Sequence, residues 1–199
     1  MTETPDLKRA LRREMRKKRQ DFVNALPDSV RALVFRVPPP PVHYLMQQAR
    51  CIGIYIARSY EAPTHHYTEF MHENGLPMAA PYFADNDSKM EFRSHGYENS
   101  LESGPFHIMQ PKPSARIIVP ELLIVPLVAY NGRMQRLGQG GGHYDRYLAE
   151  NPGTKTIGLA WTAQEHDNIP VEAHDQPLDM IITQASIIEA EHASRGEKR

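Results

Sequence analysis

The N-terminal part of the chain carries the hydrophobic period of a helix. Leu7, Leu11 and Met15 recur at intervals of four residues, which places them on one apolar stripe of a helix over residues 6–26. A proline and an aspartate at its start and Pro27 at its end are the usual boundary signals. We therefore predict a long amphipathic helix whose apolar stripe packs on the rest of the protein.

From residue 51 onward, short apolar runs alternate with amphipathic ones. Before them, four consecutive prolines within residues 37–42 predict an extended connector, because proline lacks an N–H and fixes φ. Strands that alternate with helices favour an α/β fold with a mostly parallel, Rossmann-like sheet covered by helices on both faces. The length of 199 residues fits a single domain, 1–199, whose ends at 1–5 and 189–199 we expect to be frayed. The predicted strands are 51–56, 77–83, 90–93, 117–128, 156–161 and 180–183, and the predicted helices are 64–74, with Gly75 as its stop, and 144–150.

The composition narrows the classes of protein. The formal net charge is −1, so no overall excess of positive charge points to nucleic acid, and any electropositive site must be local. There is no run of about 18 apolar residues that would span a membrane, and the charged N-terminus lacks the apolar core of a secretory signal. The single cysteine, Cys51, excludes an internal disulfide, and a buried thiol is favoured over a nucleophile there. We expect a cytoplasmic protein without a nucleic-acid or membrane partner, as a monomer or a weak homodimer.

Four glycines occupy five positions within residues 136–146, after the most apolar predicted strand. Phosphate binding would explain this density, because unhindered N–H groups and the N-terminus of the next helix can surround an anion. Arg136 would add a charged donor, and Asp145 would offer a carboxylate to magnesium. A flexible strand-to-helix turn is an equally weighted alternative, since the segment is neither a Walker loop nor a dinucleotide fingerprint.

Cations cluster on the predicted N-terminal helix. Lys8, Arg12 and Arg16 lie at i, i+4 and i+8 and share one stripe beside the apolar one. From there, Lys8 and Arg12 would reach a phosphate site. The alternatives are a solvated charged face and an arm that binds nucleic acid or a membrane.

Two further segments carry polar residues next to predicted strands. Glu61 either accepts hydrogen bonds from a polar heterocycle or caps the helix near Thr64, and the cap is the favoured interpretation of the residues alone. His174 and Asp175 are only weak evidence for a metal site or a His–Asp pair. No nucleophile elbow and no second histidine at ligand spacing accompany them.

Taken in order and spacing, these segments resemble the 5-formyltetrahydrofolate cyclo-ligase family, also called 5,10-methenyltetrahydrofolate synthetase. Members catalyse the irreversible, ATP- and magnesium-dependent closure of 5-formyltetrahydrofolate to 5,10-methenyltetrahydrofolate, with release of ADP and phosphate. The resemblance implies this activity here, by phosphorylation of the formyl oxygen. It is carried by Lys8-Arg9-x-Leu11-Arg12 and by residues 55–64, 106–111, 136–146, 174–179 and 181–183, and the loop ending in His143-Tyr144-Asp145-Arg146 is its most specific part.

The resemblance also implies roles for individual residues. Asp145 and Asp175 resemble the magnesium ligands. Ile56 and Glu61 resemble the residues that hold the pterin, Phe106 would stack on the substrate, and Gln139 would also contact it. The residues implied in catalysis are Tyr144, Arg136 and Lys8, and those implied in ATP binding are Lys8, Arg12, Arg136, Leu137, Gly138, Gln139, Gly140, Gly141, Gly142, His143 and Tyr144.

Some positions depart from the commoner family pattern. Gln139, Gly141 and His143 stand where other members often have cationic or aromatic residues, which shifts charge neutralisation towards Lys8, Arg12 and magnesium. Two other classes of function stay open: a nucleotide- or RNA-binding module, and a sugar-phosphate isomerase or acyl-CoA transferase suggested by fold alone. An enzyme of the family should turn over ATP only with folate and magnesium, whereas a binding module needs no folate.

Overall fold

The computed structural model describes residues 4–96 and 101–190. Two single turns of 3₁₀-helix, Pro105–His107 and Thr162–Gln164, lie beside longer elements. The helices are α1 (Thr4–Ala25), α2 (Asp28–Arg31), α3 (Pro40–Gln48), α4 (His65–Glu73) and α5 (His143–Glu150). The strands are β1 (Ile52–Ile54), β2 (Met78–Tyr82), β3 (Glu91–Ser94), β4 (Leu101–Ser103), β5 (Met109–Pro111), β6 (Leu122–Pro126), β7 (Ala129–Tyr130), β8 (Arg136–Leu137), β9 (Lys155–Leu159), β10 (Met180–Ile182) and β11 (Ile187–Glu189).

Seven strands form one sheet in the order β11-β10-β9-β6-β1-β2-β3. The five inner strands are parallel, and β3 and β11 pair antiparallel at the two edges. The predicted mostly parallel α/β sheet is therefore confirmed. The chain goes from β1 to β2 on one side and later returns to β6 on the other side of β1. Such a reversal opens a crevice outside the carboxyl ends of the two strands.

Helices cover both faces of this sheet. Along β6, Leu122 and Ile124 belong to the cluster that contains Met46 of α3 and residues of α4. Leu123 and Val125 belong to the opposite cluster, which contains residues of α5. Because β6 is buried on both faces, its sequence is a continuous apolar run rather than an alternating one.

The N-terminal half of α1 packs on a small hairpin outside the main sheet. Leu11 and Met15 contact Val128, Ala129 and Leu137 of the segment that contains β7 and β8. Since the glycine-rich loop follows β8 directly, this packing brings the cations of α1 next to that loop.

The buried stripe of α1 differs from the predicted one. It runs through Lys8, Leu11, Met15, Arg19 and Val23, whereas Leu7 is 44% exposed. The prediction is therefore wrong at Leu7. The buried face contains two long cationic side chains, which a search for apolar residues assigns to the solvent side.

Two further sequence predictions are wrong. Helix α3 begins at Pro40, inside the predicted connector, because the missing N–H has no intrahelical partner in a first turn. The strand predicted from residue 117 begins only at Leu122, and Ile117 and Val119 are 56% and 61% exposed. By contrast, Gly75 has a φ of +64° and ends α4 as predicted.

The predicted frayed ends lie mostly outside the described residues, since 1–3 and 191–199 are not among them. Thr4 begins α1, and Glu189 ends β11. Cys51 is buried, and burial raises the pKa of its thiol to about 11, as expected of a structural cysteine. None of the helices in the described part of the chain is long and apolar enough to cross a membrane.

Candidate active site

A cavity of about 360 Å³ lies at the carboxyl ends of the central strands. Its walls come from the segment after β1, the end of β2, the β4–β5 hairpin and the glycine-rich loop. The cavity brings together many predicted site residues: Ile56, Glu61, Phe106, Arg136, Gly138, Gln139, Gly141, Gly142, His143, Tyr144 and Asp145. Other predicted residues do not line it: Lys8, Arg12, Leu137, Gly140 and Asp175.

The glycine-rich loop connects β8 to α5 with a backbone that requires glycine at two positions. Gly140 has a φ of +117° and Gly142, which precedes α5, has a φ of +64°. Within the described structure, the N–H groups of residues 140–144 have no hydrogen-bond acceptor. A row of open amides leads into a helix N-terminus here, which is the arrangement that favours an anion.

Three cations of α1 contact this loop or its neighbourhood. The Nε atom of Arg12 donates to the Gly138 carbonyl at 2.8 Å, and Arg16 donates to the Gln139 carbonyl at 2.9 Å. Burial lowers the pKa of the Arg12 guanidinium, and the positive charge of Arg16 lowers it further. Lys8 is buried rather than solvated. The solvated-face hypothesis is therefore wrong for Lys8 and Arg12, although Arg9 on the outer side is 80% exposed.

Lys8 lies between two carboxylates of the segment before β10. Its Nζ atom is 2.7 Å from Glu172 Oε2 and 2.6 Å from Asp175 Oδ2. Burial acts to raise the pKa of Asp175, but the hydrogen bonds from Lys8 and from the Glu172 N–H outweigh it, so that the pKa is lowered. The sequence did not single out Glu172, whose only signal is its place three residues before Asp175.

Arg136 is paired with Asp145 across the start of α5. Its two terminal nitrogens lie 3.0 and 2.9 Å from Asp145 Oδ1, which also accepts the Gln176 N–H at 3.0 Å. The Arg136 side chain is 2% exposed. Gln176 follows Asp175 in the chain, so the hydrogen bond from the Gln176 N–H brings the backbone at Asp175 close to Asp145. The structure thus brings the two predicted magnesium ligands into one region.

The carboxylates suit a hard divalent cation to different degrees. Asp145 lines the cavity, and its Oδ2 atom has no hydrogen bond from any of the described residues. Asp175 forms a potential metal-binding group with Glu172 and His174, whose ligand atoms lie within 4.8 Å of one another. Carboxylate oxygens are the preferred protein ligands of magnesium, so Asp145 fits that ion, whereas Asp175 already accepts hydrogen bonds from Lys8 and the Glu172 N–H at Oδ2 and has Oδ1 to offer.

Glu61 faces the glycine-rich loop across the cavity. Its Oε1 atom accepts a hydrogen bond from Gln139 Nε2 at 2.8 Å, and its Oε2 atom accepts the Arg58 N–H at 2.8 Å. Helix α4 begins at His65 with Thr64 at its N-cap position and without a side-chain cap. The prediction that Glu61 caps this helix is therefore wrong. A carboxylate at a cavity wall is instead available to a polar ligand.

Three rings that line the cavity pack together as an aromatic wall. The ring of Phe83 lies 5.3 Å from Phe106 and 4.8 Å from His143, and the rings of Phe106 and His143 are 5.7 Å apart. Sequence reasoning missed Phe83, whose position just after β2 was the available signal. Phe106 is 38% exposed, with a φ of +60°, and suits stacking on a planar ligand.

Tyr144 and Leu137 are buried beside the loop in different ways. Tyr144 lines the cavity, and burial raises the pKa of its phenol well above the ordinary value, so its hydroxyl stays protonated. Leu137 is 1% exposed, and its side chain packs on α1. It can therefore offer only main-chain atoms to a nucleotide.

The departures at Gly141 and His143 are sterically coupled. A Cβ atom at Gly141 would lie 2.5 Å from His143 Nε2. A longer side chain at position 141 would therefore require the imidazole to move. Burial lowers the pKa of His143, and the charge of Arg146 adds to this, so the ring contributes little positive charge at neutral pH.

Fold and site together define a class: a doubly wound α/β protein in which a glycine-rich loop and a helix N-terminus adjoin buried cations on one side and an aromatic cavity on the other. The model of the 5-formyltetrahydrofolate cyclo-ligase family matches residues 5–184. The chain belongs to this family, and the resemblance seen in its sequence is confirmed.

Individual relatives agree with this assignment. The 5-formyltetrahydrofolate cyclo-ligase of Escherichia coli K12 is 31% identical over 160 residues, which cover 75% of this chain and 84% of that protein. The solved structure of Aquifex aeolicus 5,10-methenyltetrahydrofolate synthetase superposes with a TM-score of 0.75 at 24% identity and 93% coverage of both chains. The Mycoplasma pneumoniae synthetase superposes with a TM-score of 0.66 at 23% identity, covering 89% of this chain and 98% of that one. These structures share the fold, and the family assignment rests on the sequence.

Proposed function

We propose that the chain uses ATP and magnesium to cyclise 5-formyltetrahydrofolate to 5,10-methenyltetrahydrofolate, with release of ADP and phosphate. One observation carries this proposal beyond family membership. The loop with open amides borders the cations of α1 on one side and the cavity with Glu61 and Phe106 on the other. A phosphate held on the loop and a heterocycle held in the cavity would therefore be neighbours.

The chemistry asks for positioning and charge neutralisation. The formyl oxygen is a poor leaving group, so it attacks the γ-phosphorus and displaces ADP. N10 of the folate then adds to the activated formyl carbon and loses its proton, and the C–O bond breaks as phosphate departs. Phosphoryl transfer of this kind needs few covalent contributions from the protein.

The residues near the loop can supply both the positioning and the charge neutralisation. The amides of residues 140–144 and the guanidinium of Arg12 would hold the phosphates. Arg136 is fixed by Asp145 at the cavity wall, where it would face the transferred group. Lys8 would act from behind the loop, since Glu172 and Asp175 already hold it. Magnesium, held by Asp145 and Asp175, would supply additional positive charge to the phosphates.

The folate would occupy the aromatic cavity. Glu61 would accept hydrogen bonds from the N–H groups of the pterin, in place of the Gln139 amide that it accepts now. Ile56 would pack on the ring, and Phe106 would stack on it. The hydrogen bonds of Gln139 with Glu61 and with Arg16 support the proposal that it contacts both the folate and the nucleotide.

The test is the absorbance of methenyl-folate formed by the purified protein. We expect product only when 5-formyltetrahydrofolate, ATP and magnesium are all present, with one ADP formed per product. ATP binding without folate turnover would favour the binding module instead. A cytoplasmic location stays a prediction.

A further inference from the structure

Glu61 follows a residue with an unusual backbone. Tyr60 has a φ of +68°, in the left-handed region that side chains other than glycine rarely adopt. A residue in that region persists there only when its surroundings hold it. The position from which the Glu61 side chain starts therefore depends on whatever fixes Tyr60, while its carboxylate is also held by the Arg58 N–H and the Gln139 amide.

Trp161 provides that contact from a distant part of the chain. Its indole Nε1–H donates to the Tyr60 carbonyl at 3.1 Å. Trp161 comes two residues after β9, at the same carboxyl edge of the sheet as the segment after β1. The hydrogen bond thus connects two loops that are 101 positions apart.

The indole is itself rigidly held. It is 2% exposed, and its ring lies between Phe22 and Phe35, at centroid distances of 5.9 and 5.2 Å. The Trp161 N–H donates to Gln164 Oε1 at 2.9 Å, and Gln164 in turn donates to the Leu127 carbonyl after β6 at 2.7 Å. The donor that reaches Tyr60 is therefore anchored to the central sheet.

The carbonyl on the other side of Glu61 is fixed in the same manner. The hydroxyl of Tyr55, which is buried, donates to the Ala62 carbonyl at 2.6 Å. With Tyr60 and Ala62 both held, the Glu61 side chain has one origin from which to reach the cavity. Tyr55 lines the cavity itself, but Trp161 is not among the lining residues. Trp161 therefore acts on a ligand of the cavity only indirectly, and its indole N–H does so through the Tyr60 carbonyl.

We propose that Trp161 is a positioning residue for folate recognition: its indole N–H fixes the Tyr60 carbonyl and so aims the Glu61 carboxylate at the pterin. This inference rests on the proposed function, because it assumes that the pterin is the ligand of Glu61. It predicts that loss of a single N–H group outside the cavity weakens folate binding and leaves the nucleotide unaffected.

The experiment removes the N–H donor while keeping an aromatic side chain. Trp161→Phe should raise the KM for 5-formyltetrahydrofolate about threefold to tenfold, the effect of one neutral hydrogen bond. The KM for ATP should stay within a factor of about two, because the contact lies on the folate side of the loop. As Trp161 is the only tryptophan of the chain, β-(3-benzothienyl)-alanine at this position gives a second test. It keeps the bicyclic shape, removes the donor, and should raise the folate KM equally.

Two controls separate positioning from stability. Met46→Ala removes a fully buried side chain of α3 from the same hydrophobic cluster but leaves the hydrogen bond and both phenylalanine rings in place, so it should lower the melting temperature without changing the folate KM. Tyr60→Gly allows a positive φ without strain, so Trp161→Phe should raise the folate KM less in that background than in the wild type. An unchanged folate KM in both Trp161 variants, or an equal rise of both KM values, would overturn the positioning role.

The activity of the wild-type protein checks the proposed function on which this inference rests. A wild-type protein that forms no methenyl-folate refutes the proposed function itself. A wild-type protein that does form it, with Trp161 variants of unaltered folate KM, refutes only the role of Trp161.

Discussion

At the scale of single residues, charge pairing distinguishes the cations of the site. Arg136 faces Asp145, and Lys8 faces Glu172 and Asp175. Arg12 instead donates to the carbonyl of Gly138. Its charge is therefore the least compensated of the three, which suits it to attract phosphate oxygens.

Asp145→Asn tests whether the Asp145 carboxylate both orients Arg136 and holds magnesium. The substitution keeps the shape but removes the charge that orients Arg136 and that would hold magnesium. We expect turnover to fall at least about a hundredfold, as for the loss of a preorganised electrostatic group. Melting temperature should also fall, because a buried guanidinium loses its partner.

The matched control lies on the same helix. Glu150→Gln removes a carboxylate at the exposed end of α5, where it forms a salt bridge with Lys89. Its turnover and magnesium dependence should equal those of the wild type. Full activity of Asp145→Asn at ordinary magnesium concentration would show that the Asp145 carboxylate neither binds magnesium nor contributes to turnover.

Glu61→Gln separates the folate from the nucleotide. The variant retains a carbonyl acceptor but loses the negative charge, and hydrogen bonds to a charged group contribute about 1.5–3 kcal/mol. A neutral acceptor still contributes about 0.5–1.5 kcal/mol, so the KM for 5-formyltetrahydrofolate should rise about fivefold to tenfold. The KM for ATP should change little. Steady-state kinetics with each substrate varied in turn measures both, and the opposite pattern would contradict the pterin role.

At the scale of elements, α1 completes the site. Leu11 and Met15 pack on the hairpin of β7 and β8, and the same helix presents Arg12 to the loop that follows β8 and Lys8 to the carboxylates before β10. The helix thus contributes both to the packing around the hairpin and to the charge of the site. An apolar stripe alone would have anchored the helix without this second contribution.

Alanine at Lys8 or Arg12 tests that contribution. Each substitution should weaken the use of ATP by about 1–3 kcal/mol, measured as kcat/KM for ATP. The Lys8 variant should also lose stability, because two carboxylates are left without their partner. Arg9→Ala is the control, since Arg9 lies on the solvent side of the same helix and its salt bridge is with Asp6. Wild-type kinetics in both site variants would show that Lys8 and Arg12 do not contribute to ATP use and have a structural role only.

At the scale of the whole molecule, the central sheet limits access to Cys51. The thiol is 4% exposed at the start of β1, the strand between β6 and β2. Burial raises its pKa from 9.0 to about 11. Little thiolate is therefore present in the folded protein at neutral pH.

Labelling of Cys51 should consequently report global unfolding. At pH 8 the native protein should react with a thiol reagent far more slowly than the protein in denaturant, and the rate should follow the unfolded fraction. The sign of the pH effect follows from the raised pKa. The thiol contributes stability below pH 9, and this contribution declines as the pH rises from 9 towards 11. Fast labelling under native conditions would show that β1 opens locally.

Much of the fold could be predicted from local patterns. The runs that became β1, β6, β9 and β10 are apolar because they are buried on both faces, and the end of α4 follows from a glycine with a positive φ. The short strands β4, β5, β7, β8 and β11 carry too few residues to show a period. Ile117 and Val119 have strand-like side chains, yet they lie at the surface because only tertiary contacts decide burial.

The sequence by itself determined the five parallel central strands, the helices α1, α4 and α5, the glycine-rich loop and the family, because these depend on residue type and spacing along the chain. The tertiary structure alone decided that Lys8 lies between Glu172 and Asp175, that Glu61 meets Gln139 rather than capping a helix, and that Trp161 reaches Tyr60. Those pairs are separated by 78 to 167 positions. Their contacts exist because parallel strands bring distant loops to one edge of the sheet, and no local period encodes that meeting.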